Sequence, residues 1–325
     1  MNDPAPRPGR IDHASAWMLF GAISFATMGA FVHALGDRCD WLLVAAVRAL
    51  IMLATALVLA RASGTKLAIW RPRSLWIRSL AGSFSLVCNF YALAHLPVAD
   101  AITLFNVHPL WIVLLPSFVK RRLPTPAESI GVTCGLAGVF LIQRPELGGD
   151  RLAVMVSLLS SLSTATAMLG LNRLKGVDAR AVVVHFAGVA SLFSIAWMAL
   201  RWRSVSLAGL YDPATLALLL GAGASGTLAQ VSLTKAYASG SPAKVAVVGL
   251  SQVVFGMGFD VVLWHRALTP TTLAGFALVM APATWLSARS APRWRPRPAP
   301  APADVPPAMA RPASLPLESA AAQPG

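Results

Sequence analysis

Charge is scarce in this sequence. Only 12% of the 325 residues are Asp, Glu, Lys or Arg, while 56% are hydrophobic. A soluble domain carries about 25% charge, so this chain has too little polar surface to cover a water-facing globule. Cysteine is also scarce: Cys39, Cys88 and Cys134 show no CxxC spacing and read as small core residues, without a metal or disulfide role. No Gly-x4-Gly-Lys-Ser/Thr loop is present to cradle ATP phosphates, which excludes a primary pump within this chain. His-Glu-x2-His, Gly-x-Ser-x-Gly and paired-carboxylate motifs are missing too, so no enzyme activity, metal or cofactor is expected.

Acidic residues are half as common as basic ones, 13 against 27, giving a net charge of +14. Placement argues against nucleic acid as the partner. Most Lys and Arg sit between apolar blocks or in the C-terminal region, as membrane topology charge does.

What is present in abundance is long apolar runs. Ten blocks lie at about 14–34, 41–60, 75–96, 98–119, 126–143, 152–171, 180–200, 214–237, 243–263 and 269–287, each near the length that crosses a bilayer as a helix. The pattern predicts an all-α integral membrane protein with ten transmembrane helices. Residues 1–13 read as a disordered N-terminal segment. The first block is too long for a signal h-region and lacks a convincing cleavage site before Cys39. Residues 288–325 alternate Pro, Ala and Arg and read as a disordered cytoplasmic tail.

Orientation follows from the short loops. With both termini cytoplasmic, the inner side receives Arg61, Lys66, Arg71, Arg73, Lys120, Arg121, Arg122, Arg173, Lys175, Arg180 and the tail arginines. The outer side receives only Arg38, Arg144, Arg151, Arg201, Arg203 and Arg266, and the opposite orientation would invert this excess.

The chain also repeats itself. Shifted by 144 positions, Ala92, Ala94 and Ala99 fall on Ala236, Ala238 and Ala243. Thr125-Pro126 falls on Thr269-Pro270, Gly131 on Gly275, and Gly82 on Gly226. Five spans per copy is an odd number, so copies 14–143 and 152–287 would insert with opposite orientation, as inverted five-helix repeats.

At this point the sequence resembles the drug/metabolite transporter superfamily, and within it the EamA-like members with ten spans. The resemblance rests on Tyr91-Ala92-Leu93 leading to Pro97-Val98-Ala99-Asp100-Ala101, on Pro109-Leu110, and on Thr125 through Gly131. In the second half it rests on Ala229-Gln230, Lys235-Ala236-Tyr237-Ala238, Pro242-Ala243 and Leu273-Ala274-Gly275. It implies a multi-pass protein of the bacterial cytoplasmic (inner) membrane that exports a metabolite or drug-like solute. Members often carry a Glu just after spans four and nine, where this sequence has Lys120-Arg121 and His265.

Polar side chains inside apolar blocks are costly and mark candidate sites. Asn106, His108 and Pro109 cluster in the middle of span four, and Pro109 frees the carbonyl of Phe105. Asn106 and His108 would face different ways on a regular helix. The repeat sets Gln252 in register with His108, which suggests a substrate site on the repeat axis. The competing reading is plain hydrogen bonding between helices.

Arg48 in span two fits an anchor for an anionic or zwitterionic substrate, or a stem reaching the outer interface. Asp260 fits a proton-coupling carboxylate, the ion-pair partner of Arg48, or a carboxylate at the outer interface. Asp260 and His108 are the titratable candidates for proton or ion coupling. Gln230, Tyr91 and Asn89 are further cavity candidates, and Lys235 reads as reaching the inner interface. Gly131, Gly135 and Gly138 form a close-approach face that suits helix packing or a dimer contact, and Gly221, Gly223 and Gly226 form another. Trp41, Trp76, Trp264 and Trp285 suit interfacial anchoring.

The function expected is secondary transport of a small organic solute by alternating access, by a monomer or homodimer. The rival readings are a membrane-embedded transferase and a non-transporting sensor or scaffold.

Overall fold

A computed structural model describes residues 12–68, 70, 72–120, 124–146, 150–200 and 208–288, with side chains not described at Asp37, 118–120 and 208–209. The N-terminal segment and tail read at 1–13 and 288–325 therefore fall almost wholly outside the described residues, as do Arg71, Arg121, Arg122, Arg201 and Arg203. The described residues form α-helices and short 3-10 turns with no strand. The helices are α1 (His13–Leu35), α2 (Trp41–Ala62), α3 (Arg73–His95), α4 (Val98–Phe105), α5 (His108–Lys120) and α6 (Pro126–Gln143). They continue as α7 (Arg151–Asn172), α8 (Ala179–Leu200), α9 (Pro213–Ser239), α10 (Pro242–Gly249), α11 (Ser251–Trp264) and α12 (Pro270–Ala288).

The few acids are used at helix starts. Asp12, Asp40, Asp150, Asp178 and Asp212 each accept a hydrogen bond from a backbone N–H in the first turn of α1, α2, α7, α8 and α9, satisfying donors that have no partner within the helix. Thr125 and Glu128 form a reciprocal capping box on α6, behind Pro126 at its first position.

Among the described residues nine segments are long and apolar enough to cross a membrane, counting α4 with α5 and α10 with α11 as one each. Helix α3 is as long but more polar, and its polar residues are turned inward: Arg78, Ser79, Ser83 and Ser85 are all buried. The outside is correspondingly apolar. Val58, Met155, Leu192, Leu200 and Val262 are each more than 60% exposed, an arrangement that suits lipid and not water.

Helix α1 packs along α9, α3 along α7, α2 along α8, and α6 along α12. The α3–α7 seam is stitched by serines: Ser160 Oγ donates to Ser85 O at 2.9 Å, and Ser163 Oγ to Ala81 O at 2.8 Å. Small residues set the close approaches. A Cβ on Gly138 would lie 2.7 Å from Gly275 O, so α6 and α12 touch backbone to backbone. This corrects the dimer expectation for the α6 glycines. Leu286 and Val247 pack over Gly131, Leu250 over Gly135 and Val279 over Gly138, all within one chain.

Candidate functional site

The spans expected at 98–119 and 243–263 are not continuous helices. The first breaks at Asn106-Val107 between α4 and α5, the second at Leu250 between α10 and α11. The two breaks coincide in the 144-residue register, since Asn106 falls on Leu250 and His108 on Gln252. At the first break the cause is local. Pro109 has no N–H to give to Phe105 O, and His108 Nδ1 takes its place at 3.1 Å. Because a carbonyl only accepts, Nδ1 carries a proton there. The second break has no proline at the corresponding position. Ser251 Oγ donates to Val248 O at 2.7 Å, supplying a side-chain donor to the same turn.

The breaks meet across the protein. Gln252 Nε2 donates to Asn106 Oδ1 at 3.3 Å, while Asn106 Nδ2 donates to Ile102 O at 2.8 Å. Asn106 is 1% exposed. His108, across the break, bonds instead to Phe105 O and stands beside the Phe105 ring. Nearby on α5, Trp111 Nε1 donates to Ser161 Oγ on α7 at 3.0 Å.

Gln230 belongs to a second cluster, built around a residue that sequence reasoning passes over. Arg78 on α3 donates from Nη2 to Gln230 Oε1 at 2.9 Å, and its guanidinium lies 4.1 Å from the Phe186 ring centroid. One residue along, Ser79 Oγ is 2.8 Å from His185 Nδ1, and Trp76 meets the His185 ring edge-on. Arg78 sits only three residues inside the 75–96 block, where an arginine reads as loop charge. The available signal was Gly82, one turn further on, which leaves room for its head.

Arg48 does not pair with Asp260. Its Nη1 lies 2.9 Å from Met28 Sδ, and its guanidinium stands 5.4 Å from the Phe90 ring centroid. Asp260 pairs instead with Arg266 at 3.2 Å, beyond the end of α11. That pair forms because α11 ends with His265 in the left-handed conformation, which turns the chain back so that Arg266 N also donates to Asp260 O. Tyr91 stacks on His95 with ring centroids 4.1 Å apart, and no other predicted site residue joins them. Asn89 is half-buried on α3.

Lys235 lies over the Trp17 ring at 3.9 Å. It lines an open cleft of about 400 Å³ with His13, Trp17, Asp178, Arg180 and Ser239. This cleft contains neither the Asn106–Gln252 pair nor Arg78, and it lies where the starts of α1 and α8 meet the end of α9. Among the described residues no three His, Cys, Asp or Glu side chains converge as a metal site.

Comparison with known proteins places this architecture. Residues 14–144 match the EamA-like transporter family. The pseudopaline exporter CntI of Pseudomonas aeruginosa is 29% identical over 235 residues, covering 71% of this chain and 80% of its own length. An uncharacterized transporter of Helicobacter pylori is 29% identical over 213 residues, covering 64% of this chain and 71% of its own. A crystal structure with 20% sequence identity has the same fold, with a TM-score of 0.72 covering 83% of this chain and 94% of its own. Apolar multi-pass helices, a first half that matches the EamA-like transporter family and relatives named as transporters together make this chain a multi-pass membrane protein similar to the EamA-like transporters.

Proposed function

We propose that the protein is a secondary transporter that exports a small organic solute across the bacterial cytoplasmic membrane by alternating access. Its two halves, 14–143 and 152–287, act as inverted five-helix repeats with both termini cytoplasmic. The solute binds where the two broken helices meet. The observation that carries this reading is the hydrogen bond from Gln252 to Asn106, which links two helix breaks in the same register. Broken helices at corresponding positions of two repeats bring polar side chains together at membrane depth, which is where secondary transporters hold their substrates.

The packing scheme supports the repeat relation. Exchanging the halves turns the α1–α9 contact into α7–α3 and leaves the α2–α8 and α6–α12 contacts unchanged. Export is supported by the relative named as a pseudopaline exporter. Asn106, Gln252 and His108 are the central substrate contacts, and Gln230 and Arg48 are further candidate contacts. Tyr91 is a peripheral member, and Asp260, already held by Arg266, is a weaker coupling candidate than His108. No cofactor takes part, and the chain works as a monomer or homodimer in the bilayer.

The test begins with a melting screen of purified protein against amino acids, nucleobases, organic acids and cationic drugs. Flux of the stabilising solute in proteoliposomes follows. Asn106→Ala and Gln252→Ala should each cut flux about tenfold or more. Their ligand-free melting temperatures should barely move, because one such bond is worth about 0.6 kcal/mol in a membrane protein. Wild-type flux in both variants would overturn the site.

A further inference from the structure

Two guanidinium groups lie within the helical body with no acid beside them. The ion pairs among the described residues are Lys244–Asp12 and Arg266–Asp260, and neither includes Arg48 or Arg78. Arg78 is 1% exposed, with a neutral amide at Nη2, an aromatic face beneath it, and a buried Nε that has no hydrogen-bond partner. Arg48 repeats the arrangement with a thioether at Nη1, the Phe90 ring nearby, and a buried Nε without a partner. A cation desolvated among neutral groups carries a cost that nothing around it offsets. An unused N–H directed into such a place costs more.

The two places share one feature of the 144-residue register. Gly82 and Gly226 are register partners, the first beside the Arg78 head and the second beside the Met28 sulfur that Arg48 touches. A Cβ on Gly82 would collide with Arg78 Nη1 and the Phe186 ring. A Cβ on Gly226 would meet Met28 Sδ at 3.0 Å, the sulfur on which Arg48 rests. Arg78 lies near the start of α3 and Arg48 near the start of α2. Consecutive helices run in opposite senses, so the heads lie toward opposite ends of the body. Phe90, beneath Arg48, is twelve residues beyond Arg78 on α3, which is about 18 Å along the helix axis.

We propose that Arg78 and Arg48 are two stations for a carboxylate group of the transported solute, one toward each membrane face. The proposal rests on the transport reading above and adds the substrate class. A carboxylate fits because each station offers a single positive charge. One monoanion neutralises it, whereas a phosphate dianion would leave net negative charge buried at the site. The planar guanidinium also matches the two oxygens of a carboxylate, and its idle Nε–H belongs to the edge that makes paired hydrogen bonds.

The experiment melts the full chain, in lipid nanodiscs, against the L-amino acids, lactate and pyruvate, each beside its amide or methyl ester. Arg78→Gln, Arg48→Gln and Arg78→Lys are measured in parallel. At least one free acid should raise the wild-type melting temperature while its amide does not. Each Gln variant should weaken that acid by about 10- to 100-fold, the value of a charge-assisted hydrogen bond. Arg78→Lys should fall between, since it keeps the charge and loses the fork. Ligand-free melting of the Gln variants should stay at or above wild type, because no ion pair is broken.

A ligand-free drop of several degrees in Arg78→Gln would make the arginine a structural cation and overturn the proposal. So would amides that stabilise as well as their acids, or a screen in which no acid acts. In each of those cases proteoliposome flux of neutral and cationic solutes decides the transport reading separately. Flux with those solutes would keep transport and lose only the carboxylate stations.

Discussion

Lys244 is buried in the first turn of α10, where its Nζ lies 2.8 Å from Asp12, the residue that caps α1. The 144-residue register puts Asp100 at the same place in α4, and Asp100 accepts a hydrogen bond from Glu146 N at 2.9 Å. Opposite charges thus do equivalent work, each tying a half-helix to the chain that leads into or starts a repeat. Partial burial opposes ionisation of Asp12, but the Lys244 ammonium and the Ser15 hydrogen bonds outweigh it and hold the carboxyl below its ordinary range. A carboxyl lowered by folding contributes stability that is complete above its unfolded value, about 3.9, and is lost as pH falls through the lowered folded value. Asp12→Asn keeps the cap and removes the charge. It should melt below wild type at pH 7, and the difference should shrink below about pH 4 as wild type loses the same ion pair. Melting by tryptophan fluorescence from pH 7 to pH 3 checks this, and parallel acid limbs would contradict it.

At the scale of elements, two features set the geometry: the broken spans and the glycine seam between α6 and α12. A helix that loses one hydrogen bond to proline can continue, as α5 does through Pro116 and α12 through Pro282. Spans four and nine break because the side chains beside the gap supply the missing partners from His108 and Ser251. The α6–α12 seam tolerates no side chain at its tightest point. Gly138→Leu should lower the melting temperature, with overpacking costing about 1–3 kcal/mol or more. Gly258→Ala on α11, where a Cβ meets nothing within 4 Å, should be neutral or gain up to about 1 kcal/mol from helix propensity. Thermal melts of the two variants side by side make the comparison. Equal stability would mean that α6 and α12 do not pack backbone to backbone.

For the whole molecule, the proposed orientation sets every loop on a definite side. A reporter that works only outside, alkaline phosphatase, should be inactive after Ala288 and within 63–68 but active when inserted at Glu146. Fluorescent-protein fusions should give the reverse pattern, and activity at the C-terminal fusion would invert the scheme. Membrane residence and span count to within a block were determined by sequence alone, because bilayer thickness fixes run length. His108, Gln252 and Asn106 stood out in the sequence as polar residues inside apolar blocks, the first two in register with each other. Which of them touch was not legible, because a break turns side chains by an angle that periodicity cannot supply. Only the tertiary structure paired Gln252 with Asn106, Gln230 with Arg78 and Asp260 with Arg266. It also turned the α6 glycines inward against α12. Partners separated by more than a hundred residues are chosen by how helices cross, and burial of a charge such as Arg78 depends on the neighbours that cover it, which no local pattern records.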